Sequence, residues 1–236
     1  RRLAATLGVG GSVCGVSAAI AAASAVRADK GHAPIAITLV ILWAIVMIFV
    51  LPLVSRALGL PAGVAGAWIG SSEFADAAGF AAAQTYDGLA ASGIVSGTGD
   101  QAVWAFTLMK VVGRDVWIGI WAFVLAIVAT TRWERAPTGE RPSPAQIWWR
   151  FPKFVIGFLL SSLIITLAVK NFAFADYNKL VKPTLVAPLI ALRTWAFTFC
   201  FLSIGLTTRL KEWAPAGSRP FWAFSVGVIV NLVLGY

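Results

Sequence analysis

The sequence has little charge, little cysteine and almost no histidine. Only 12% of its 236 residues are charged, whereas 59% are hydrophobic. A soluble domain of that composition would lack the polar surface needed to cover its core. Two cysteines and one histidine give no basis for a disulfide framework or a zinc site. The composition therefore predicts an integral membrane protein that uses no metal or other cofactor.

The net charge is +9, but the basic residues fall in short gaps between apolar runs. This distribution argues against nucleic-acid binding and is typical of membrane-topology signals. Two connections are rich in basic residues and are expected to be cytoplasmic, which places Tyr86–Asp100 and Lys170–Pro183 outside. The basic residues are Arg132, Arg135, Arg141 and Arg150 in the first connection, and Arg209, Lys211 and Arg219 in the second.

Five apolar runs approach the roughly 20 residues that a helix needs to cross about 30 Å of hydrocarbon. One of them is longer than a span requires, and its apolar part is Val116–Thr131. The chain starts without a methionine and stops inside an apolar run, so we expect residues 1–236 to be a single transmembrane domain within a larger bundle. The predicted spans are Ala33–Val54, Gln101–Thr131, Phe151–Val169, Thr184–Leu206 and Phe221–Tyr236.

Two other segments predict broken helices. Val13–Val26 would be only about 21 Å long as a helix, which is too short to cross a membrane. Ala62–Gln84 is long enough but has polar residues in its middle. Gly10-Gly11-Ser12 and Gly70-Ser71-Ser72 each precede an alanine-rich stretch, a pairing typical of half-helices whose N-termini face an anion. The alternative is helix packing through small residues, which needs no ligand.

The charge rule leaves one question about topology. Arg27 and Lys30 predict a cytoplasmic link after the first half-helix. A fully spanning Ala62–Gln84 would instead place that link outside. Either this segment is re-entrant or the charge rule fails there.

The Gly-Ser segments supply the candidate anion-binding groups. Backbone N–H groups and hydroxyls at a half-helix start can hold a tetrahedral oxyanion. Cys14 could equally be a small packed residue, and Ser71 or Ser72 could equally be a helix cap with Glu73 in the first turn. The candidates are Gly11, Ser12, Cys14, Gly15 and Ser17 in the first segment, and Ser71 and Ser72 in the second.

Charged residues inside apolar segments supply the other candidates. Lys110 and Arg114 are four residues apart and share a helix face, as a clamp for a dianion requires; alternatively, both reach the interface by snorkelling. Glu73 and Asp76 predict a site for a coupling H⁺ or Na⁺. Arg193 lies within a predicted span, so we expect it to bind one of these carboxylates or the anion.

Four stretches resemble, in order, motifs of the YeiH-type family of proteins described as sulfate exporters. The resemblance covers nearly the whole chain and corresponds to the family's middle and C-terminal parts. The stretches are Gly10-Gly11-Ser12-Val13-Cys14-Gly15-Val16-Ser17-Ala18-Ala19-Ile20, Trp68-Ile69-Gly70-Ser71-Ser72, Thr107-Leu108-Met109-Lys110 and Ile204-Gly205-Leu206-Thr207-Thr208.

Two family positions differ in this chain. The family's histidine after its Gly-Thr-Ser element is missing, because Glu73-Phe74-Ala75-Asp76 follows Ser72. The family's basic residue three positions after its lysine is Gly113 here, and Arg114 comes one position later. No role of that histidine can be transferred to this chain.

The resemblance implies kinship with the cation/proton antiporter and bile-acid symporter superfamily. The expected fold is an all-α, polytopic transmembrane bundle with crossing broken helices and inverted repeats. The expected function is secondary transport of sulfate or a related small oxyanion, coupled to H⁺ or Na⁺, in a bacterial inner membrane, with a homo-oligomer as a further possibility. The alternatives are a non-transporting scaffold or assembly subunit and, less favoured because His32 is the only histidine, an intramembrane hydrolase.

Overall fold

The computed structural model describes residues 1–133, 148–149, 153–170, 172, 176–207 and 218–236, and every regular element within them is helical. The chain forms two compact units, Arg1–Pro152 with Trp213–Tyr236, and Lys153–Glu212. Seven residues named in the sequence predictions lie outside the described ranges: Arg135, Arg141, Arg150, Phe151, Thr208, Arg209 and Lys211.

The first unit contains seven of the described helices and the second contains two. The second unit also has a π-helical segment, Tyr177–Val186, immediately before its last helix. The first unit comprises α1 (Arg2–Ser12), α2 (Val16–Ala25), α3 (His32–Ala57), α4 (Ala62–Ser72), α5 (Asp76–Ala91), α6 (Gln101–Trp133) and α9 (Ser218–Gly235); the second comprises α7 (Phe154–Val169) and α8 (Ala187–Thr207).

Within the described residues, three helices are long and apolar enough to cross a membrane: α3, α6 and α9. They coincide with three of the predicted spans and confirm an all-α membrane fold. The predicted Phe151–Val169 run forms the shorter α7, and Thr184–Leu206 falls within the helical residues 177–207. Both of these stay predictions as membrane spans.

The predicted half-helix Val13–Val26 corresponds to α2, which begins only after Gly15 and turns back onto α1. The break covers Val13 to Gly15, where glycine adopts a φ of +67° that other residues rarely tolerate. A Cβ placed on Gly10, before the break, would lie 3.2 Å from the Cβ of Ala19, after it. We call this α1–α2 pair hairpin 1; each arm is only about 15 Å long.

Ala62–Gln84 is not one helix but part of a second hairpin, formed by α4 and α5. Its break is the three-residue stretch from Glu73 to Ala75, whose end residues are extended. The Tyr86 hydroxyl on α5 donates a hydrogen bond to the Leu60 carbonyl just before α4, at 2.6 Å. The start of α4 and the far part of α5 therefore lie side by side, and we call this pair hairpin 2.

The hairpin formed by α4 and α5 bears on the topology question. With α3 and α6 as the two membrane spans, a hairpin between them that enters and leaves on one side brings the chain back to the side of the Arg27–Lys30 link at the end of α6. That link then lies on the same side as the basic connection that begins at Arg132, as the charge rule requires. The re-entrant alternative is the one that agrees with this geometry.

Hairpin and long helix occur twice in the same order. The long α3 packs against both arms of hairpin 1, and α6 packs against both arms of hairpin 2. This order matches the internal repeat that the paired Gly-Ser segments predict. Its inverted orientation stays a prediction.

Glycines let α6 approach α4 closely. A Cβ on Gly66 would lie 2.1 Å from the Ala102 carbonyl oxygen, and one on Gly70 would lie 2.8 Å from the Phe106 carbonyl oxygen. The earlier glycine of α4 meets the earlier residue of α6, and the later glycine meets the later residue, so α4 and α6 run parallel. The small-residue packing considered from the sequence thus coexists with the helix break.

Hairpin 2 also caps α6. The Asp87 carboxylate is buried and accepts hydrogen bonds from the backbone N–H groups of Ala102, at 2.8 Å, and Val103, at 2.9 Å. These N–H groups have no partner inside the helix, and a negative charge is favourable at that end. The start of α6 is therefore fixed to α5.

We predict that Gly66→Ala destabilises the protein, because the new Cβ would overlap backbone atoms of Ala102 that cannot rotate away. Overpacking of this kind costs roughly 1–3 kcal/mol. The matched control is Gly63→Ala in the same helix, where nothing lies within 4 Å of the added Cβ. Thermal unfolding in detergent compares the two variants; equal midpoints would contradict the close α4–α6 packing.

Candidate functional site

The tips of the two hairpins meet inside the first unit. A Cβ on Gly15, at the tip of hairpin 1, would lie 3.1 Å from the Phe74 carbonyl oxygen at the tip of hairpin 2. It would also lie 3.0 Å from a methyl group of Val40 on α3. Glycine is needed at this position both for its backbone conformation and for the close approach. We call the meeting point of the two tips the junction. It brings together the C-terminal ends of α1 and α4 and the N-terminal ends of α2 and α5.

Arg114 links the two tips through four backbone carbonyls. Its guanidinium donates to Ser12 O at 3.1 Å and Gly11 O at 3.2 Å in hairpin 1. It also donates to Ser71 O at 2.8 Å and Glu73 O at 3.0 Å in hairpin 2. These carbonyls belong to helix ends and have no partner in their own helices. One side chain therefore satisfies both broken ends.

Lys110 occupies the centre of the charged cluster and has no exposed surface. Its ammonium donates to Val13 O at 2.7 Å and to an Asp115 oxygen at 2.7 Å, and lies 2.8 Å from an Asp76 oxygen. Two hydrogen bonds and one further ion pair therefore hold the ammonium in place. The snorkelling interpretation of Lys110 is therefore wrong, because its side chain points into the protein.

A π-helical segment of α6, Leu108–Asp115, carries these charges. The backbone hydrogen bonds of a π-helix join residues five apart, and here the Asp115 carboxylate lies 2.7 Å from the Lys110 ammonium. In an α-helix the same pair would be about 140° apart around the axis. The spacing predicted that Lys110 and Arg114 share a face, and both do reach the hairpin tips. Asp115 received no predicted role because its alignment depends on the π geometry.

Asn231 on α9 completes the set of donors. Its amide donates to Gly11 O at 3.2 Å and to Ser72 O at 3.3 Å, one carbonyl from each hairpin. Nothing in the sequence singled out this residue. The only available signal was a polar amide inside an otherwise apolar run, as intramembrane polar groups usually have a partner.

Three buried oxygens at and beside the tip of hairpin 2 have no described hydrogen-bond partner: Glu73 Oε2, the Ser72 hydroxyl and Asp76 Oδ1, of which the last lies in the ion pair with Lys110. Glu73 is fully buried, and its carboxyl group lies over the backbone N–H groups of Phe74 and Ala75. Its Oε1 accepts a hydrogen bond from Ala75 at 2.8 Å, but no described group bonds to Oε2. The buried Ser72 hydroxyl also lacks a described partner. Buried polar atoms without a partner are rare in proteins.

The candidate residues of hairpin 1 do not all face the junction. Ser12 is exposed, and its hydroxyl donates to Gly8 O at 2.7 Å. Ser17 is exposed on α2, whereas Cys14 is buried at the break. Gly11 and Ser12 border a cavity of about 280 Å³ between α1 and α9, which Asn231 also lines. Ser12, Gly11 and Asn231 form its polar end.

The predicted helix starts need correction. Gly10, Gly11 and Ser12 form the last turn of α1, and Gly70, Ser71 and Ser72 form the last turn of α4. The second halves begin after the breaks, so the glycine-serine segments offer carbonyls at the junction rather than free N–H groups. Their glycines are used for close packing, which a sequence pattern cannot distinguish from a helix start.

The alternative prediction that Ser71 or Ser72 caps the second helix of hairpin 2 is also wrong. Ala75 precedes α5, and neither Ser71 nor Ser72 caps that helix. The Ser71 hydroxyl instead donates to the carbonyls of Trp68, at 3.0 Å, and Gly235, at 2.9 Å. Glu73 contributes the acceptor at the start of α5. The side chain of Arg193 lies outside the described parts of the chain, so its partner stays a prediction.

We predict that Arg114→Lys lowers stability although it keeps the charge. An ammonium has three donors at one point and cannot reach four carbonyls in two hairpins. Each buried group left without a partner costs about 1–3 kcal/mol. Arg56→Lys, at an exposed position on α3, is the control. Thermal unfolding in detergent should show a clear loss for Arg114→Lys only, and an unchanged midpoint would refute its bridging role.

Comparison with known proteins places the chain in a family. The family described as "Conserved hypothetical protein 698" matches residues 1–223. The UPF0324 membrane protein RB9488 of Rhodopirellula baltica is 35% identical over 225 residues, which cover 94% of this chain and 39% of that protein. A UPF0324 membrane protein of Nitratidesulfovibrio vulgaris is 34% identical over 226 residues, covering 94% and 37%.

A third relative agrees with these two. The UPF0324 membrane protein NE0724 of Nitrosomonas europaea is 33% identical over 220 residues, covering 90% of this chain and 44% of that protein. No solved structure matches the chain. The chain spans about two fifths of the length of these relatives. It belongs to the conserved hypothetical protein 698 family, whose named relatives are UPF0324 membrane proteins.

Proposed function

We propose that this chain contains the binding site of a secondary transporter for sulfate or a related small oxyanion, coupled to H⁺ or Na⁺ by alternating access. The supporting observation is the junction of the two hairpin tips, where Arg114, Lys110 and three carboxyl groups lie in an apolar helical protein. Buried charges in membrane segments are costly and usually mark ion or substrate paths. Broken helices that meet at one point are the common architecture of such paths.

The cavity between α1 and α9 is the proposed entrance for the anion. Its walls are mostly apolar, and its polar end carries the Ser12 hydroxyl and the Asn231 amide. The Arg114 guanidinium binds the carbonyls of Gly11 and Ser12 at this same end. A hydroxyl can rotate from Gly8 O toward a ligand, and the guanidinium supplies a positive field. These groups suit an oxyanion better than a cation.

Sulfate is proposed as the substrate from the motif resemblance to YeiH-type exporters. The motifs that carry it, the Gly10–Ile20 and Trp68–Ser72 segments, form the ends of α1 and α4 and the break between α1 and α2. They therefore lie where the proposed binding groups are. A bacterial inner membrane and a homo-oligomer are part of the same proposal.

We predict that full-length protein in proteoliposomes takes up labelled sulfate, and that Ser12→Ala weakens its apparent affinity. Loss of one hydrogen bond to a charged ligand costs about 1.5–3 kcal/mol, or roughly tenfold or more in affinity. Ser92→Ala is a matched control, because Ser92 is exposed and donates to Gly88 O just as Ser12 donates to Gly8 O.

The assay separates three outcomes. Uptake that falls with Ser12→Ala and not with Ser92→Ala supports the proposed entrance. Uptake unaffected by both variants rejects the entrance but keeps transport. Absence of flux with sulfate and with other inorganic and small organic oxyanions rejects the transporter, and would favour the scaffold alternative.

A further inference from the structure

The charges at the hairpin tips do not balance if all three carboxyl groups are ionised. Lys110 and Arg114 supply two positive charges to the junction. Asp76 and Asp115 both lie within 2.8 Å of the Lys110 ammonium. Those two carboxylates already neutralise the two cations, so an ionised Glu73 would leave a net negative charge in a buried site, which is unfavourable.

Neither cation offers a donor to the Glu73 side chain. The Lys110 ammonium donates hydrogen bonds to Val13 O and to Asp115, and it forms an ion pair with Asp76 at 2.8 Å. Arg114 does reach Glu73, but it binds the backbone carbonyl and not the carboxyl group. The described hydrogen bonds of Lys110 and Arg114 all go to acceptors other than the Glu73 carboxyl group. Glu73 Oε2 thus stays fully buried without a partner.

The backbone carbonyls beside Glu73 are already engaged by other donors, so a sodium ion there would depend on side-chain oxygens. A sodium ion needs several oxygen ligands, which in proteins are often backbone carbonyls. The carbonyls of Ser71 and Glu73 are bound to Arg114, and that of Ser72 is bound to Asn231. A proton needs only the single free oxygen of the carboxyl group itself.

We propose that Glu73 is the site of the coupling proton, carried as a neutral carboxylic acid while the oxyanion is bound. The inference deepens the proposed function by choosing H⁺ over Na⁺ and Glu73 over Asp76. Loss of the proton adds a negative charge beside the anion site, so an oxyanion binds with proton uptake and leaves with proton release. Anion and proton therefore move in the same direction. The Ser72 hydroxyl, buried and unpartnered one residue earlier, is a second group available at this tip.

The first test does not depend on transport. Infrared spectroscopy of purified full-length protein should show the carbonyl stretch of a buried protonated carboxylic acid, which moves on exchange into D₂O. Glu73→Gln should remove this band, whereas Asp76→Asn and Asp115→Asn should leave it. A band that persists in Glu73→Gln, or that disappears only with an aspartate variant, would overturn the assignment, even if no oxyanion were ever transported.

The second test uses proteoliposomes with labelled sulfate. Acidifying the sulfate-containing side should speed uptake by the unmodified protein at least tenfold across the titration. Glu73→Gln mimics the neutral acid, so it should retain sulfate exchange at equal pH and lose the response to a pH gradient. If Glu73→Gln does not fold, proton uptake by the unmodified protein on sulfate binding, in weak buffer, decides the point.

These outcomes keep the two proposals distinguishable. Sulfate flux that is independent of pH, or that follows a sodium gradient, would reject the proton at Glu73 while keeping the transporter. Lack of any flux together with the Glu73 infrared band would reject the transporter while keeping the protonated acid. Sulfate binding without proton uptake would reject the coupling.

Discussion

The structure depends on satisfying the carbonyl groups at two helix ends that lie inside the protein. Hairpin 1 and hairpin 2 both turn within the bundle, so each leaves a set of backbone carbonyls without intrahelical partners. Water would satisfy these groups at a protein surface, but a membrane interior provides none. Side-chain donors from α6 and α9 take that role. Arg114 and Asn231 each donate to carbonyls of both hairpins. The hydrogen bonds that satisfy the carbonyls therefore also hold the two tips together.

The need for these donors explains the other charged side chains at the hairpin tips. Arg114, which satisfies four of these carbonyls, and Lys110, which satisfies another, are cationic, and buried cations require nearby carboxylates. Asp115 is supplied by the same π-helical segment as Lys110, and Asp76 by the first turn of α5, where a negative charge is also favoured by the helix dipole. The acidic residues that look out of place in an apolar sequence are therefore a consequence of the broken helices. Glu73 alone exceeds what the two cations require.

Much of this arrangement could be predicted from the sequence. Apolar run lengths identified α3, α6 and α9, and the short Val13–Val26 run identified a helix that cannot cross alone. The similarity between the two Gly-Ser segments correctly indicated two related helix breaks. Intramembrane charge singled out Glu73, Asp76, Lys110 and Arg114, which the structure brings together at the hairpin tips; their role as a binding site stays a prediction.

The errors have a common physical cause. Glycine and serine before an alanine-rich run fit a helix start and a tightly packed helix end equally well, and only the tertiary contacts of Gly66 and Gly70 decide between them. Asp115 and Asn231 were missed for a similar reason. One depends on a π-helix that has no clear sequence signal, and the other on contacts with residues distant in the chain.

On the proposed function, the same hydrogen bonds that hold the tips together would also set the cost of opening them. Separating the hairpins breaks carbonyl bonds to Arg114 and Asn231, and buried carbonyls without partners are expensive. An oxyanion that reaches Arg114 from the α1–α9 cavity competes for the same donors, so it would loosen hairpin 1 from the guanidinium. Ligand binding and hairpin movement would then depend on the same donor groups. Alternating access requires a ligand that makes different contacts in its two states, and this competition would provide that difference.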